Sequence, residues 1–172
     1  SRIIFYVELI KMRNFFVFIV VCCFVMGCSP VDKQHFFGTT QGSYYSIIYY
    51  DEQSRDFSRE FDSVFKEIES TLSLWDDNSI IRRVNRNDTS VVLNQIFIDN
   101  FNYAMAAAEL SDGYFDPTVG PLVSAWGFHY KESMEMTPAI VDSLKQLVGY
   151  KKVSIENGKV LKEHPDITLD FN

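Results

Sequence analysis

The segment GYFDPTVGP, residues 113–121, brings together residue types that could bind a flat, polar ligand. Tyr114 and Phe115 offer two aromatic ring faces, and Asp116 offers a carboxylate fixed by the proline that follows it. A residue before proline is restricted to extended backbone, which points the carboxylate away from the chain direction. With the backbone N–H groups near the glycines, the set suits a planar heterocycle that bears hydroxyls and phosphates. A connection between two helices whose aromatics fill the core explains the same residues equally well.

The other candidate residues give weaker signals. Trp75 precedes two aspartates, but a single tryptophan in a loop is more often a packing residue than a stacking platform. The histidines, His35, His129 and His164, lie far apart without the spacing of metal ligands, so we interpret them as surface or structural residues. The sequence contains no phosphate-loop, dinucleotide-binding, zinc or nucleophile-elbow motif.

Composition and charge indicate one globular domain and disfavour one class of partner. Of the 172 residues, 47% are hydrophobic and 23% are charged, which is enough apolar content for a core. The net charge of −7 disfavours a nucleic-acid surface, because such a surface needs clustered basic residues to displace counterions. The one basic cluster, Arg82, Arg83 and Arg86, is predicted to be a solvated helix face.

The N-terminal region has the anatomy of a secretory signal. Residues 12–27 start with a methionine between basic residues and continue as an apolar run from Phe15 to Met26. The run is too short to span a bilayer as a helix, so a permanent transmembrane anchor is the weaker interpretation. Val25–Cys28 resembles a bacterial lipobox, which makes Cys28 the predicted site of lipidation. A buried strand that ends by chance in Gly-Cys is the alternative.

These assignments divide the chain into four parts. Residues 1–11 fit no signal pattern and are interpreted as translated upstream sequence or an artefact, and residues 12–27 are the signal peptide. Residues 28–35 form a short tether, and residues 36–172 form the domain. The expected location is outside the cytoplasm, on a lipid anchor in the bacterial cell membrane.

Hydrophobic periodicity and turn signals predict an α+β fold. The predicted elements are a strand at 43–50, a helix at 56–72 with its aromatics in the core, a helical turn capped by Ser79, an extended piece at 91–93, helices at 100–110 and 137–148, a hairpin at Asn157-Gly158 and a strand at 167–171. A short helix after Asp116 is predicted to bury Val119, Leu122, Val123, Trp126 and Phe128. Because the sequence stops inside the last predicted strand, we expect the N-terminal part of a longer domain.

Four segments, taken in order, resemble the ApbE family of FAD:protein FMN transferases: FFGTTQGSYYSI, LSLWDDNSIIRRVN, DGYFDPTVGPLVSAWGF and ITLDFN. They span about residues 36 to 172. The third is long and specific, and it matches the family signature D-G-x-F-D-P-T-V-G-P-L-V-x-x-W-G-F with hardly a departure. The family signatures also include S-x-I/L-x-x-x-N, and a lipoprotein signal is common among its members.

The resemblance assigns FAD contacts to Phe37, Trp75, Tyr114, Phe115, Asp116 and Asp170. Phe37 stands where the family usually has a methionine, and Trp75 replaces a usual tyrosine; both departures keep an apolar or stacking surface. The family's magnesium ligands and its proposed catalytic histidine are expected after Asn172, so the catalytic residues of this chain are unknown and no metal ligand is assigned in it.

The resemblance implies that the complete protein transfers FMN from FAD to a threonine of an acceptor flavoprotein, with Mg²⁺ assisting and AMP leaving. This chain alone is expected to be inactive. Implied acceptors are extracytoplasmic subunits of Na⁺-translocating quinone reductase or Rnf-type complexes, or secreted flavoprotein reductases. Two alternatives stay open: an FAD pyrophosphatase that releases FMN and AMP, and a lipid-anchored flavin-binding protein without catalysis.

Overall fold

The structure, a computed structural model, describes residues 31–40, 42–128 and 135–171. Its elements are β1 Asp32–Thr40, β2 Ser43–Asp51, α1 Ser58–Leu72, α2 Ile80–Asn85, α3 Gln95–Leu110, α4 Gly120–Ala125, α5 Pro138–Lys145, a 3-10 turn Tyr150–Lys152, β3 Val153–Glu156 and β4 Lys159–Lys162. Strand β1 pairs with β2, and β3 pairs with β4, in two separate sheets. The fold is α+β, as predicted. The predicted signal, Cys28 and His129 lie outside the described residues.

The described residues divide into two compact units. Residues 31–36 and 47–56 form the first, and residues 37–46 with those from 57 onward form the second. Strand β1 begins at Asp32, inside the segment assigned to the tether. Among the described residues, no helix is long and apolar enough to cross a membrane.

In the first unit, the carboxylate of Asp51 closes the turn that follows β2. It accepts hydrogen bonds from the backbone N–H of Gln53 at 3.0 Å and of Arg55 at 2.9 Å, and from the Arg55 guanidinium at 2.5 Å. The hydrogen bond from the Arg55 side chain lowers the pKa of Asp51 to about 2. This turn therefore depends on an ionised carboxylate.

In the second unit, helix α1 forms as predicted, but its apolar stripe is only partly covered. Thr71 is its only buried residue, whereas Phe61 and Phe65 are half-buried and Val64 is 53% exposed. Phe65 packs against Tyr45 of β2 with ring centroids 4.3 Å apart. The prediction that these aromatics are core residues is wrong, because periodicity identifies the apolar face of a helix but not how much protein covers it.

The helical turn capped by Ser79 is confirmed as α2. The Ser79 side chain accepts a hydrogen bond from the Arg82 N–H, and its hydroxyl donates to the Ser73 carbonyl at 2.6 Å. Ser79 is fully buried. The cap therefore also ties the start of α2 to the end of α1.

Helix α3 starts five residues earlier than predicted, at Gln95 rather than Asn100. Asn94 caps it by accepting a hydrogen bond from the Phe97 N–H at 2.9 Å. The predicted extended piece at 91–93 is not a strand, although Val91 and Leu93 are buried and Val92 is 80% exposed. Alternating burial resembles a strand, but a strand also needs a paired neighbour.

The C-terminal elements follow local turn chemistry closely. Thr137 caps α5 and Pro138 opens it, but the helix ends at Lys145 rather than Val148. Asn157 and Gly158, with φ of 52° and 73°, join β3 to β4 as predicted for a two-residue hairpin.

The core of the second unit gathers buried residues from helices α2 and α3, strand β3 and the last described segment. Ile81, Phe97 and Ile167 are fully buried, and Leu169 is 1% exposed. The rings of Phe97 and Phe171 pack edge to face at a centroid distance of 5.7 Å. Residues 167–171 thus contribute to the core, yet they do not form the predicted strand.

Helix α4 is short, as predicted, but its aromatics are exposed. Trp126 is 48% exposed and Phe128 68% exposed, so the prediction that they are core residues is wrong. Val119, Leu122 and Val123 are half-buried. Both aromatics come after Ala125, the last residue of α4, so they do not lie on the face of the helix that packs against the protein.

The basic cluster on and directly after α2 is ion-paired, and one of its side chains is largely shielded from solvent. Arg82 and Arg86 both bond to Asp77, and Arg83 donates to Asp88 at 2.8 Å. The side chain of Arg82 is only 11% exposed. The prediction of a solvated face is therefore corrected for Arg82, whereas Arg86 is 49% exposed. The acids on both sides of α2 pair with the cluster and hold the flanking loops.

We predict that Ser79→Ala costs more free energy of unfolding than Thr137→Ala. Both residues cap helices, but the Ser79 hydroxyl is buried and makes two hydrogen bonds, whereas Thr137 is exposed and accepts one. We expect a loss of about 2 kcal/mol for Ser79→Ala and about 0.5–1 kcal/mol for Thr137→Ala. Urea unfolding measures both, and equal losses would contradict the burial argument.

The free energy of unfolding should also fall in acid, because Asp88 becomes protonated. Hydrogen bonds from Ser90 and then Arg83 lower the pKa of Asp88 from 3.8 to about 2. Because the folded-state pKa is depressed, this contribution is complete above about pH 4 and is lost as the pH falls towards 2. We expect a shallower pH dependence in this range for Asp88→Asn, measured by urea unfolding at each pH. The control is Asp142→Asn, at an exposed position on α5, and the same flattening there would count against Asp88.

Candidate functional site

The segment that carries Tyr114 and Phe115 leaves α3 through a tight reversal. Asp112 and Gly113 have positive φ, 50° and 81°, and the Gly113 N–H donates to the Ala108 carbonyl at 2.8 Å. Left-handed backbone at this point suits glycine and turns the chain sharply. Tyr114 emerges 97% exposed, while Phe115 is half-buried. The reversal therefore presents one ring to the surface and keeps the other close to the protein.

Asp116 is held by three hydrogen-bond donors of the protein. One carboxylate oxygen accepts from the N–H and the hydroxyl of Thr118, at 2.8 and 2.5 Å. The other accepts from the backbone N–H of Tyr150 at 2.8 Å. Thr118 is fully buried and accepts in turn from the Gly149 N–H at 2.7 Å. Asp116 and Thr118 together fasten the turn after α3 to the turn before β3.

These bonds give Asp116 a structural role that the sequence analysis, which considered its carboxylate as a ligand contact, did not include. Both oxygens already accept hydrogen bonds from the protein, so the side chain has a structural role whatever it binds. Removing it should disturb the fold as well as any ligand. The FAD contact assigned to Asp116 stays a prediction.

Asp170 lies next to this turn. Its backbone N–H donates to the carbonyl of Pro117 at 2.8 Å, and the residue is 6% exposed. Pro117 is itself fully buried. The structure therefore brings together two of the residues assigned to FAD, Asp116 and Asp170, although 54 positions separate them in the sequence.

Helix α4 presses against the same segment through Gly120. A Cβ atom at this position would lie 2.5 Å from the Thr168 hydroxyl oxygen and 2.9 Å from the Thr168 carbonyl oxygen. Neither distance is possible for a real side chain, so only glycine fits. The glycine of the D-P-T-V-G signature thus permits close packing rather than a special φ.

Trp75 and Phe37 lie on other elements, the loop after α1 and strand β1. Trp75 is 58% exposed, and its indole lies beside Gly42, where an added Cβ would be 3.5 Å from the indole Nε1. Phe37 is 74% exposed. Each presents an aromatic surface on an element other than the one that carries Asp116.

Sequence reasoning missed two residues that hold the last described segment, Asn85 and Lys162. The Asn85 amide donates to the Leu169 carbonyl at 2.9 Å and accepts from the Leu169 N–H at 2.7 Å. The Lys162 ammonium donates to the carbonyls of Ile167, at 2.9 Å, and Pro165, at 3.1 Å. The S-x-I/L-x-x-x-N signature falls on Ser79, Ile81 and Asn85 and was the available signal for Asn85.

Within the described ranges, no cluster of three or more histidine, cysteine, aspartate or glutamate side chains could hold a metal ion. The oxygens of Asp116 are already used by three donors. These residues therefore do not fit a magnesium site by themselves.

Comparisons with known proteins point to one family. The sequence model of one protein family, described as the ApbE family, matches residues 41–172. The chain is 25% identical over 170 residues to the FAD:protein FMN transferase of Vibrio cholerae, covering 94% of this chain and 51% of that protein. It is 27% identical over 167 residues to the one from Chlamydia muridarum, covering 89% and 51%.

Solved structures show the same fold. Flavin transferase ApbE from Vibrio cholerae superposes with a TM-score of 0.76 and 25% identity, covering 83% of this chain and 48% of that one. Pseudomonas stutzeri flavinyl transferase ApbE, in its apo form, gives a TM-score of 0.72 at 22% identity, with 83% and 48% covered. The chain thus spans about half the length of the relatives that it matches.

We predict that Asp116→Asn destabilises the intact protein even without flavin. Each carboxylate oxygen faces an N–H donor, so the amide NH₂ of asparagine must oppose one of them. A lost hydrogen bond of this kind, partly shielded from water, costs about 1–3 kcal/mol in free energy of unfolding. The control is Asp112→Asn, an exposed residue at φ of 50°, which asparagine tolerates. Urea unfolding in flavin-free buffer distinguishes them, and equal stability of the two variants would rule out the structural role.

Proposed function

Because the chain belongs to the ApbE family, we propose that the intact protein is an FAD:protein FMN transferase. It attaches FMN from FAD, through a phosphoester bond, to a threonine of an acceptor flavoprotein and releases AMP. The curated relatives bear that name, and this chain spans about half of their length. The activity is therefore proposed for the protein as a whole.

One observation carries the proposal: the hydrogen bond from Asp170 to Pro117, which holds two assigned FAD positions together beside the Tyr114–Phe115 aromatics. Aromatic surface can stack on the isoalloxazine ring, and polar groups on a rigid turn can bind ribityl hydroxyls and phosphates. Rigid placement matters because binding energy is retained only when the binding groups are ordered in advance. Trp75 and Phe37 are proposed to supply further aromatic surface.

The proposed reaction breaks one phosphoanhydride bond and forms one phosphoester bond. The threonine hydroxyl oxygen attacks the phosphorus on the FMN side, the bridging oxygen leaves with AMP, and the hydroxyl proton passes to a base. No residue of the described ranges is assigned as that base. Mg²⁺ dependence is part of the proposal, since a divalent cation offsets charge on the phosphate oxygens.

The proposed setting is the outer side of the bacterial membrane. Lipidation at Cys28 would confine the enzyme and a membrane-bound acceptor to the same surface and so raise their effective concentration. Suitable acceptors are extracytoplasmic flavoprotein subunits of Na⁺-translocating quinone reductase or Rnf type.

The test uses the intact protein with FAD, Mg²⁺ and an acceptor peptide that contains the target threonine. We expect the acceptor to gain one FMN by mass spectrometry, with AMP appearing in equal amount. An acceptor with alanine at the target position is the control and should gain no FMN.

Two outcomes would replace the proposal by its alternatives. AMP formed at the same rate with and without the threonine acceptor would identify an FAD pyrophosphatase. Flavin binding with no AMP under either condition would identify a non-catalytic flavin-binding protein. Omitting Mg²⁺ tests the metal requirement separately.

A further inference from the structure

The Asn85 side chain bonds the backbone of Leu169 in the way that a neighbouring strand would. It donates to the carbonyl at 2.9 Å and accepts from the N–H of the same residue at 2.7 Å. We propose that Asn85 is a positioning residue that sets the place of Asp170 and thereby the affinity for FAD. This inference rests on the proposed function, because it takes Asp170 as a flavin contact.

The segment around Leu169 needs such a partner. It runs through the core, with Ile167 fully buried and Leu169 1% exposed. In the part of the chain that the structure describes, no strand pairs with it. Buried N–H and C=O groups must nevertheless be satisfied. Asn85 satisfies both groups of Leu169 at once, because an amide side chain has a donor and an acceptor side by side.

The hydrogen bonds of Asn85 come from a helix whose position is fixed. It is the last residue of α2, whose first turn is capped by the buried Ser79. At the other end, Lys162 donates to the carbonyls of Val84 and Asn85, at 3.4 Å each, and more closely to Ile167 at 2.9 Å. Helix α2 and the segment are therefore fastened to each other at two points.

The next residue after Leu169 is Asp170, whose N–H bonds Pro117 at 2.8 Å. One residue of extended chain spans only about 3.3 Å, so a shift of Leu169 passes almost undiminished to Asp170. A hydrogen bond weakens steeply once its geometry is disturbed by a fraction of an ångström to about 1 Å. Asn85 thus holds in place the backbone that carries the Asp170 side chain.

The test is Asn85→Asp in the intact protein. Aspartate has the same shape and still accepts from the Leu169 N–H, but it cannot donate to the Leu169 carbonyl and instead repels it. The matched control is Asn94→Asp, because Asn94 also accepts from one N–H, that of Phe97, and donates elsewhere, to Thr71 at 2.8 Å. Both variants keep an acceptor and lose a donor, but only the first lies next to Asp170.

The readout is the FAD dissociation constant from flavin-fluorescence titration, with thermal unfolding recorded for each variant. We expect Asn85→Asp to raise the dissociation constant about 5- to 10-fold and Asn94→Asp to leave it unchanged. In the Asp170→Ala background, Asn85→Asp should add almost nothing, because the two residues act through one contact. Asn85→Ser, measured in the same way, replaces Asn85→Asp if that variant fails to fold.

Equal dissociation constants for the Asn85 and Asn94 variants would overturn the inference. So would losses that simply add between Asn85→Asp and Asp170→Ala. Both results require that the wild-type protein binds FAD, and they leave the proposed function standing. A wild-type protein that does not bind FAD would overturn the proposed function and this inference together.

Discussion

The backbone of residues 167–170 crosses the core of the second unit with side chains and loops as its hydrogen-bond partners. Asn85 bonds both polar groups of Leu169, Lys162 bonds the carbonyl of Ile167, and Pro117 accepts from Asp170. In a sheet, these groups would be satisfied by repetition along a neighbouring strand. Here Asn85, Lys162 and Pro117 belong to three different elements. Each hydrogen bond to residues 167–170 therefore also fixes the position of one of these elements. The requirement to satisfy a buried backbone thereby organises α2, β4 and the turn after α3 around one segment.

Helix α2 links residues 167–170 to the loop after α1, which carries Trp75. Its six residues are joined to the end of α1 through Ser79 and Ser73, and to the loop after Trp75 through Arg82 and Asp77. The hydrogen bond from Arg82 lowers the pKa of Asp77, so this carboxylate stays ionised to a lower pH than an ordinary aspartate. Displacing α2 would therefore move the loop that carries Trp75 and residues 167–170 together. Exposed ion pairs contribute little free energy individually, but these set geometry because they converge on one short helix.

Sequence reasoning succeeded where a feature is decided by residues close together. The Ser79 cap and the Asn157-Gly158 hairpin both depend on backbone groups within a few positions, and both are confirmed. Sequence reasoning failed where the hydrogen-bond partner of a residue lies many positions away in the sequence. The predicted strand at 167–171 has the right burial, but only the folded chain shows that Asn85, 84 positions earlier, is its partner. The carboxylate of Asp116 likewise finds the Tyr150 N–H, 34 positions later.

The same distinction explains why the sequence singled out residues 113–117 as a candidate site but did not reveal the structural role of Asp116. The D-P-T segment meets two demands, which are to hold a turn and to bring Tyr114 to the surface. The hydrogen bonds of Asp116 and Thr118 meet the first demand and consume both carboxylate oxygens. The second falls to the side chains that the turn leaves at the surface, Tyr114 above all, at 97% exposure. A half-buried acid therefore holds the turn beside the most exposed aromatic ring, Tyr114, so a substitution that disturbs the turn should move that ring as well.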